Sequence, residues 1–307
     1  MYKFNKILVG LDLSDLDKDL ILSAAKIAVL SQAKEIHFVN VIRNFNVPDE
    51  LTKEFPDLIN KAVEDRRDSI EKEVKKFFVY DEAKVLVNVL IEQGPATKTL
   101  MRIIHDKKID LIVLGRKKEK KVGGVLVSRI ARRASCSLLI LPQNGLSFKN
   151  IFVPTDFSNY SRKALEKATT LARRAKENSN IIVQNVYQVP TGYHYTGKSF
   201  KEFSEIMKEN AKKDFARFAS GINTKGLKIE EIYTNDKSDD VISMIYKTAK
   251  KIKADIIILG AKGQTSTASM FIGSKAEKLV HLNTEIPMLM IRPKGKVAGF
   301  IEAIQEL

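Results

Sequence analysis

Lys6-Ile-Leu-Val-Gly-Leu-Asp12-Leu-Ser14, near the start of the chain, and Asn150-Ile-Phe-Val-Pro-Thr-Asp156-Phe-Ser158, in its middle, share one pattern: a short apolar run, then Asp, one apolar residue and Ser. The two aspartates lie 144 positions apart. Asp110-Leu-Ile-Val-Leu-Gly115 returns as Asp255-Ile-Ile-Ile-Leu-Gly260, and the final apolar run Leu138 to Pro142 returns as Met288 to Pro293. Three landmarks repeated in the same order mean two copies of one domain. The boundary is expected near residue 145, giving domains 1–145 and 146–307 joined around Gln143 to Lys149.

Between the landmarks, apolar runs of strand length alternate with helical periodicity. In the first copy the runs are Ile7–Leu11, Glu35–Val41, Val85–Ile91, Leu111–Leu114 and Leu138–Leu141, and the helices fall at Ser14–Ser31, Asp49–Phe78, Pro95–Lys107 and Val125–Ala134. The second copy places strands near 150–154, 181–187, 228–233, 255–259 and 287–291. Uninterrupted runs such as Ile256–Leu259 read as strands buried on both faces, which is the habit of a parallel sheet covered by helices. The expected fold is therefore α/β: two tandem doubly wound, Rossmann-like domains, each with a five-stranded parallel sheet, together forming an internal pseudo-dimer. Ser14 and Ser158 are placed to cap the helices that follow them.

The chain has 307 residues, 44% of them hydrophobic and 29% charged, an ordinary globular balance. One cysteine, Cys136, excludes a disulfide scaffold and a thiolate zinc site, and four scattered histidines lack metal-ligand spacing. No apolar run approaches the roughly 20 residues of a membrane span. The first residues reach Asp12 before a signal-peptide core could form, so a cytoplasmic location is expected. The net charge is +15; residues 1–149 hold 27 basic and 20 acidic side chains, and residues 150–307 hold 25 and 17. An excess spread so evenly, with no tryptophan and no stripe of interleaved aromatics, argues against a nucleic-acid binder.

In doubly wound sheets, ligands bind beyond the carboxyl ends of the strands where the strand order reverses. Asp156 follows the first strand of the second copy and Gly260 ends its fourth. The loop from Gly260 reads Gly260-Ala-Lys262-Gly263, and after nine intervening residues Gly273-Ser274-Lys275 opens a helix. Glycines allow close approach of the main chain, and a helix N-terminus with a hydroxyl and nearby lysines is a phosphate site. The Walker spacing G-x4-G-K-S occurs at Gly192 to Ser199, in the loop after the second strand of this copy, and not in the loop from Gly260.

The spacing G-x2-G-x9-G-S resembles the nucleotide-binding signature of the universal stress protein family, and the likeness extends over both halves in the manner of its tandem members. What the resemblance implies is ATP, with any Mg2+ entering through the phosphates. Pro154, Thr155 and Asp156 would border the nucleoside, and the main chain at Val186 would recognise adenine. Gly260, Lys262 and Gly263 would approach ribose and phosphate, and Gly273, Ser274 and Lys275 would hold the outer phosphates. Simpler roles exist for these residues: Asp156 as a turn or capping residue, Ser274 as a plain N-cap, Val186 as a core valine. The family also implies further assembly, so a homodimer of tandem chains is expected, and an unidentified protein partner is compatible with it.

The first copy departs from the signature. Its loop runs Gly115-Arg-Lys-Lys118-Glu-Lys-Lys-Val-Gly-Gly124-Val125, four residues shorter, with Lys118 for the second glycine and Val125 for the serine. Loss of the ATP site there is the expectation. The cluster from Arg116 to Lys121 reads as a solvated loop or an anion attractor. In the second copy, Asn235–Asp240 replaces the Gln93-Gly94-Pro95 of the first, with Asp239 and Asp240 at a helix start. Tyr193, His194 and Tyr195 lie in a loop that either covers a ligand or meets another subunit. Val297, Phe300, Ile301, Ile304 and Leu307 share a helical face in the tail.

No general base or nucleophile stands beside the phosphate loop, so the leading reading is an ATP-binding stress-response regulator. The alternatives are a slow ATP hydrolase or adenylate-dependent enzyme, and a basic scaffold or nucleic-acid-associated protein without nucleotide.

Overall fold

A computed structural model describes residues 3–43, 53–79, 85–117, 121–143, 145–263 and 272–292. The chain divides into two compact units, with the division between Gly145 and Leu146. The C-terminal tail singled out above lies outside the described residues.

In the N-terminal unit the elements are β1 (Lys6–Leu11), α1 (Leu16–Ser31), β2 (Glu35–Ile42), α2 (Leu58–Phe77), β3 (Leu86–Gln93), α3 (Ala96–Asp106), β4 (Leu111–Gly115), α4 (Lys121–Arg133) and β5 (Ser137–Leu141). All its strand pairs are parallel, in the order β3-β2-β1-β4-β5. The C-terminal unit repeats this with β6 (Asn150–Thr155), α5 (Asn159–Ala175), β7 (Asn180–Tyr187), α6 (Phe200–Ala219), β8 (Lys228–Asn235), α7 (Val241–Lys251), β9 (Ile256–Gly260), α8 (Ser274–Leu282) and β10 (Met288–Ile291). Its order is β8-β7-β6-β9-β10, again parallel throughout. A six-residue 3-10 turn, Thr191–Thr196, precedes α6. Each copy is thus a doubly wound α/β unit whose strand order reverses between its first and fourth strands.

Burial follows the sequence pattern. The apolar parts of β4, β5, β9 and β10 are buried, while the edge strands β3 and β8 expose polar side chains such as Glu230 and Glu231. The aspartate that opens the second landmark fastens strands at their amino ends. Asp110 accepts the N–H groups of Asn5 and Lys6 at 2.8 and 2.9 Å, and Asp255 accepts that of Asn150 at 2.7 Å. The glycine that closes the same landmark is a packing requirement: a Cβ on Gly115 would lie 2.5 Å from Leu16, and one on Gly260 2.6 Å from the main chain of Tyr160. Both glycines let the first helix of the unit settle on the end of the fourth strand.

Three expectations about helix starts need correction, the first because α2 begins at Leu58 and not at Asp49. Ser158 caps α5 as expected, accepting the Ser161 N–H at 3.2 Å. Ser14 does not cap α1, whose cap position is Asp15. Instead the buried Asp17 carboxylate reaches back and accepts the N–H groups of Asp12 and Leu13 at 3.2 and 2.8 Å, and Ser14 donates its hydroxyl to Asp12. Asp17 thus ties the turn that precedes α1, while the cap residue Asp15 makes no side-chain cap bond. Further on, α4 begins at Lys121 and not at Val125, which draws Gly123 and Gly124 into the helix.

Candidate functional site

At the strand-order reversal the two units differ. In the N-terminal unit the β1–β4 ladder runs through four pairs, from Ile7 with Leu111 to Gly10 with Leu114. Gly10 permits this: a Cβ there would meet the Leu114 side chain at 2.7 Å. In the C-terminal unit the β6–β9 ladder holds two pairs and ends at Phe152 with Ile257. Pro154, which has no N–H to donate, stands where the first copy has Gly10. A cleft of about 300 Å3 lies beside Pro154.

The cleft has two kinds of wall. One is formed by the end of β6 (Pro154, Thr155, Asp156), the turn Gly260, Lys262 and Gly263, and the start of α8 (Gly273, Ser274, Lys275, Ala276). The other is apolar, from Val241, Ile242 and Ile245 on α7 and Leu279 on α8, with Val186 and Gln184 on β7. All ten residues singled out from the sequence border this one cleft. Sequence reading missed the α7 wall, although Val241, Ile242 and Ile245 sit at the one- and three-to-four-residue spacings of a helical face. It also missed Gln184 and Ser161, which carry no motif.

Asp156 is held by its own turn. Its Oδ1 accepts the Ser158 N–H at 3.1 Å, and Thr155 Oγ1 accepts the Phe157 N–H at 3.0 Å while donating to Ser161 at 3.1 Å. Phe157 has φ 63°, a left-handed conformation that a side chain pays for elsewhere, here with its ring 5.4 Å from that of Phe218 on α6. Gly263 is required by this carboxylate, because a Cβ on it would stand 2.6 Å from Asp156 Oδ2. The ladder between β6 and β7 ends at Thr155 with Asn185, one residue before Val186, so the main chain of Val186 borders the gap.

Gly273 is the cap residue of α8 and supplies no side chain to its first turn. The Gly273 N–H is tied to the Ala261 carbonyl at 2.8 Å, which folds the loop so that the helix start faces Gly263. The N–H groups of the first turn have no partner within the helix, and they give this end of the cleft a partial positive charge. Lys262 adds a full one. Burial, and then the charge of Arg292, hold its pKa below the ordinary value, and its ammonium lies 5.9 Å from the Tyr160 ring. Residues 264–271, between the two halves of the signature, lie outside the described residues.

The N-terminal unit is built differently at the matching positions. Lys117, which corresponds to Lys262, reaches 2.6 Å from Asp12 Oδ2, the counterpart of Asp156. Because α4 starts at Lys121, the N–H of Val125 falls inside the helix, where an intrahelical bond takes it. Lys118 and Lys120 lie outside the described residues.

The other candidates have structural employment. Asp236 accepts the N–H groups of Ser238 and Asp240, and Asp240 caps α7 through Ser243. Among the described residues no three His, Cys, Asp or Glu side chains converge as metal ligands. Tyr193 packs edge-on against Phe200, and neither it, His194 nor the 87% exposed Tyr195 is among the residues bordering the cleft. No helix among the described residues is long and apolar enough to cross a membrane.

Two parallel doubly wound units, one with a cleft at its switch point beside a glycine turn and a helix start, define a tandem protein of the Rossmann-like α/β class. The sequence model described as the universal stress protein family matches residues 3–142 and again 147–292, and the chain belongs to that family. Universal stress protein MJ0531 of Methanocaldococcus jannaschii is 26% identical over 150 residues, 48% of this chain and 85% of that protein. YxiE of Bacillus subtilis is 26% identical over 151 residues, 47% of this chain and 99% of its own. Among solved structures, a universal stress protein from Archaeoglobus fulgidus aligns over 94% of this chain and 97% of its own with a TM-score of 0.63 at 14% identity. The functionally unknown protein PA1789 of Pseudomonas aeruginosa aligns over 99% and 98% with a TM-score of 0.65 at 16% identity. At such identities the likeness extends to the fold.

Proposed function

We propose that this chain is a regulatory protein that binds an adenine nucleotide, ATP above all, in its C-terminal unit. The observation that carries the reading is the cleft itself. One end offers glycine main chain, a helix N-terminus and lysines to a polyanion, and the other offers an apolar slot to a flat ring. Asp156 stands on the polar wall, placed for a ribose hydroxyl. Mg2+ enters with the phosphates, since among the described residues Asp156 is the one carboxylate lining the cleft, too few to hold a divalent ion unaided.

Binding and not turnover is favoured by what borders the phosphate end. Glycines, a serine at a helix start and two lysines supply no general base for an attacking water. The N-terminal unit takes no nucleotide: its carboxylate is engaged by Lys117 and its helix start has moved back by four residues.

Native mass spectrometry of the chain with ATP tests the reading. One adduct per chain is expected, lost in Ser274→Val and in Gly263→Lys. An adduct that survives both changes would place the ligand elsewhere.

A further inference from the structure

We infer that β3, the outer strand of the N-terminal unit, pairs antiparallel with the β3 of a second copy of this chain. The main chain offers that edge. Leu86 donates its N–H to the Lys34 carbonyl and Gly94 donates to that of Ile42, each at 2.9 Å. The alternation of the ladder then turns the main-chain groups of Leu86, Asn88 and Leu90 toward β2, and those of Val87, Val89 and Ile91 outward. Arg67 on α2 marks the outward side, where its Nη1 donates to the Val89 carbonyl at 3.0 Å. That oxygen keeps a second lone pair, and no acceptor stands at the outward N–H groups among the described residues.

The side chains choose the occupant. From Val85 to Ile91 the chain carries no charge and no proline; Leu86 is 60% exposed, and Val87 to Ile91 are half-buried. The outer strand of the other unit, β8, exposes Lys228, Glu230 and Glu231, which guard an edge against pairing. A row of alternating donors and acceptors is satisfied by an extended chain, and β3 is its own complement. With a two-fold axis at Asn88, Leu86 of one copy stands opposite Leu90 of the other, Val87 stands opposite Val89, and the two Asn88 amides meet. Val87 and Val89 exchange both main-chain bonds in that register. Moving the axis to Val89 would set Leu86 against Glu92 and Asn88 against Leu90, so the polar groups hold the register. A symmetric antiparallel pair closes on itself and does not propagate into a fibre. The strip is short, so the dimer builds with concentration.

Sedimentation equilibrium of the full chain from about 1 μM to about 1 mM is the test. Wild type is expected to pass from monomer to dimer within that range. Asn88→Lys sets two ammonium groups face to face at the axis and should weaken the dimer about tenfold. Val87→Pro deletes an outward N–H that its own sheet does not use and should weaken it similarly. Asn88→Cys keeps the test open if either variant folds poorly, because side chains that meet at the axis lie about 5 Å apart. Oxidation should then link two chains through position 88, while Glu230→Cys on β8 stays unlinked; the chain's own Cys136 is buried. A chain that remains monomeric to about 1 mM would overturn the inference. So would a dimer of wild-type strength in both edge variants, or one that Asn88→Cys fails to cross-link, since the copies would then meet elsewhere.

Discussion

Gly263 and Asp17 show how a single residue decides what its unit can do. The absence of a Cβ at 263 leaves 2.6 Å of room that the Asp156 carboxylate occupies. Gly263→Ala must therefore displace the carboxylate or the turn, and it is expected to lower ATP affinity at least tenfold while changing unfolding stability by less than about 1 kcal/mol. Asp17 occupies the opposite situation, a carboxylate engaged by its own fold. Burial pushes its pKa from 3.8 to about 6, against the two main-chain N–H groups that it accepts. The folded state then holds the proton more tightly than the unfolded state between pH 4 and 6. Stability from this group is present below about pH 4 and lost as the pH rises through 6, to the extent of about 3 kcal/mol. Relative to wild type, Asp17→Asn should gain about 2–3 kcal/mol between pH 4.5 and pH 7.5 in urea unfolding. An equal difference at both pH values would contradict that account.

At the scale of elements, the repeated landmarks have different reasons to exist. Asp110 and Asp255 close the amino ends of their sheets, Gly115 and Gly260 seat the first helices, and Gly260 also borders the cleft, together with the Asp156 turn and the start of α8. Asp255→Ala should leave the Asn150 N–H without its acceptor and cost about 1–3 kcal/mol locally. Faster hydrogen exchange at Ile151 to Val153, with α7 unaffected, is the expected reading.

Strand and helix positions were legible in the sequence because buried parallel strands are continuous apolar runs; the observed ends differ mostly by one or two residues. The start of α4 was not, since a Gly-Gly pair marks a helix end locally and is carried here inside a helix that begins one turn earlier. The glycine turn and the helix start that border the cleft were legible because a tight turn and a side-chain-free cap are written in glycines at fixed places. The apolar wall and Gln184 were not, because any core helix shows the same spacing and a strand glutamine announces nothing until its partners, Thr234 and Thr248, come into contact with it.

For the whole molecule, the two copies share a fold and differ where the strand order reverses. The first and fourth strands pair through Gly10 in the first copy and through Phe152 in the second, where Pro154 stands in place of that glycine. In the first copy an internal ion pair joins Lys117 to Asp12, the counterparts of Lys262 and Asp156 in the second. The positive charge carried by both halves favours encounter with polyanions but does not distinguish the copies. The most direct measurement is the stoichiometry of ATP binding to the full chain by titration calorimetry. One site per chain, abolished by Ser274→Val and untouched by Lys117→Met, is the predicted result; two sites of equal affinity, or none at millimolar ATP, would contradict it.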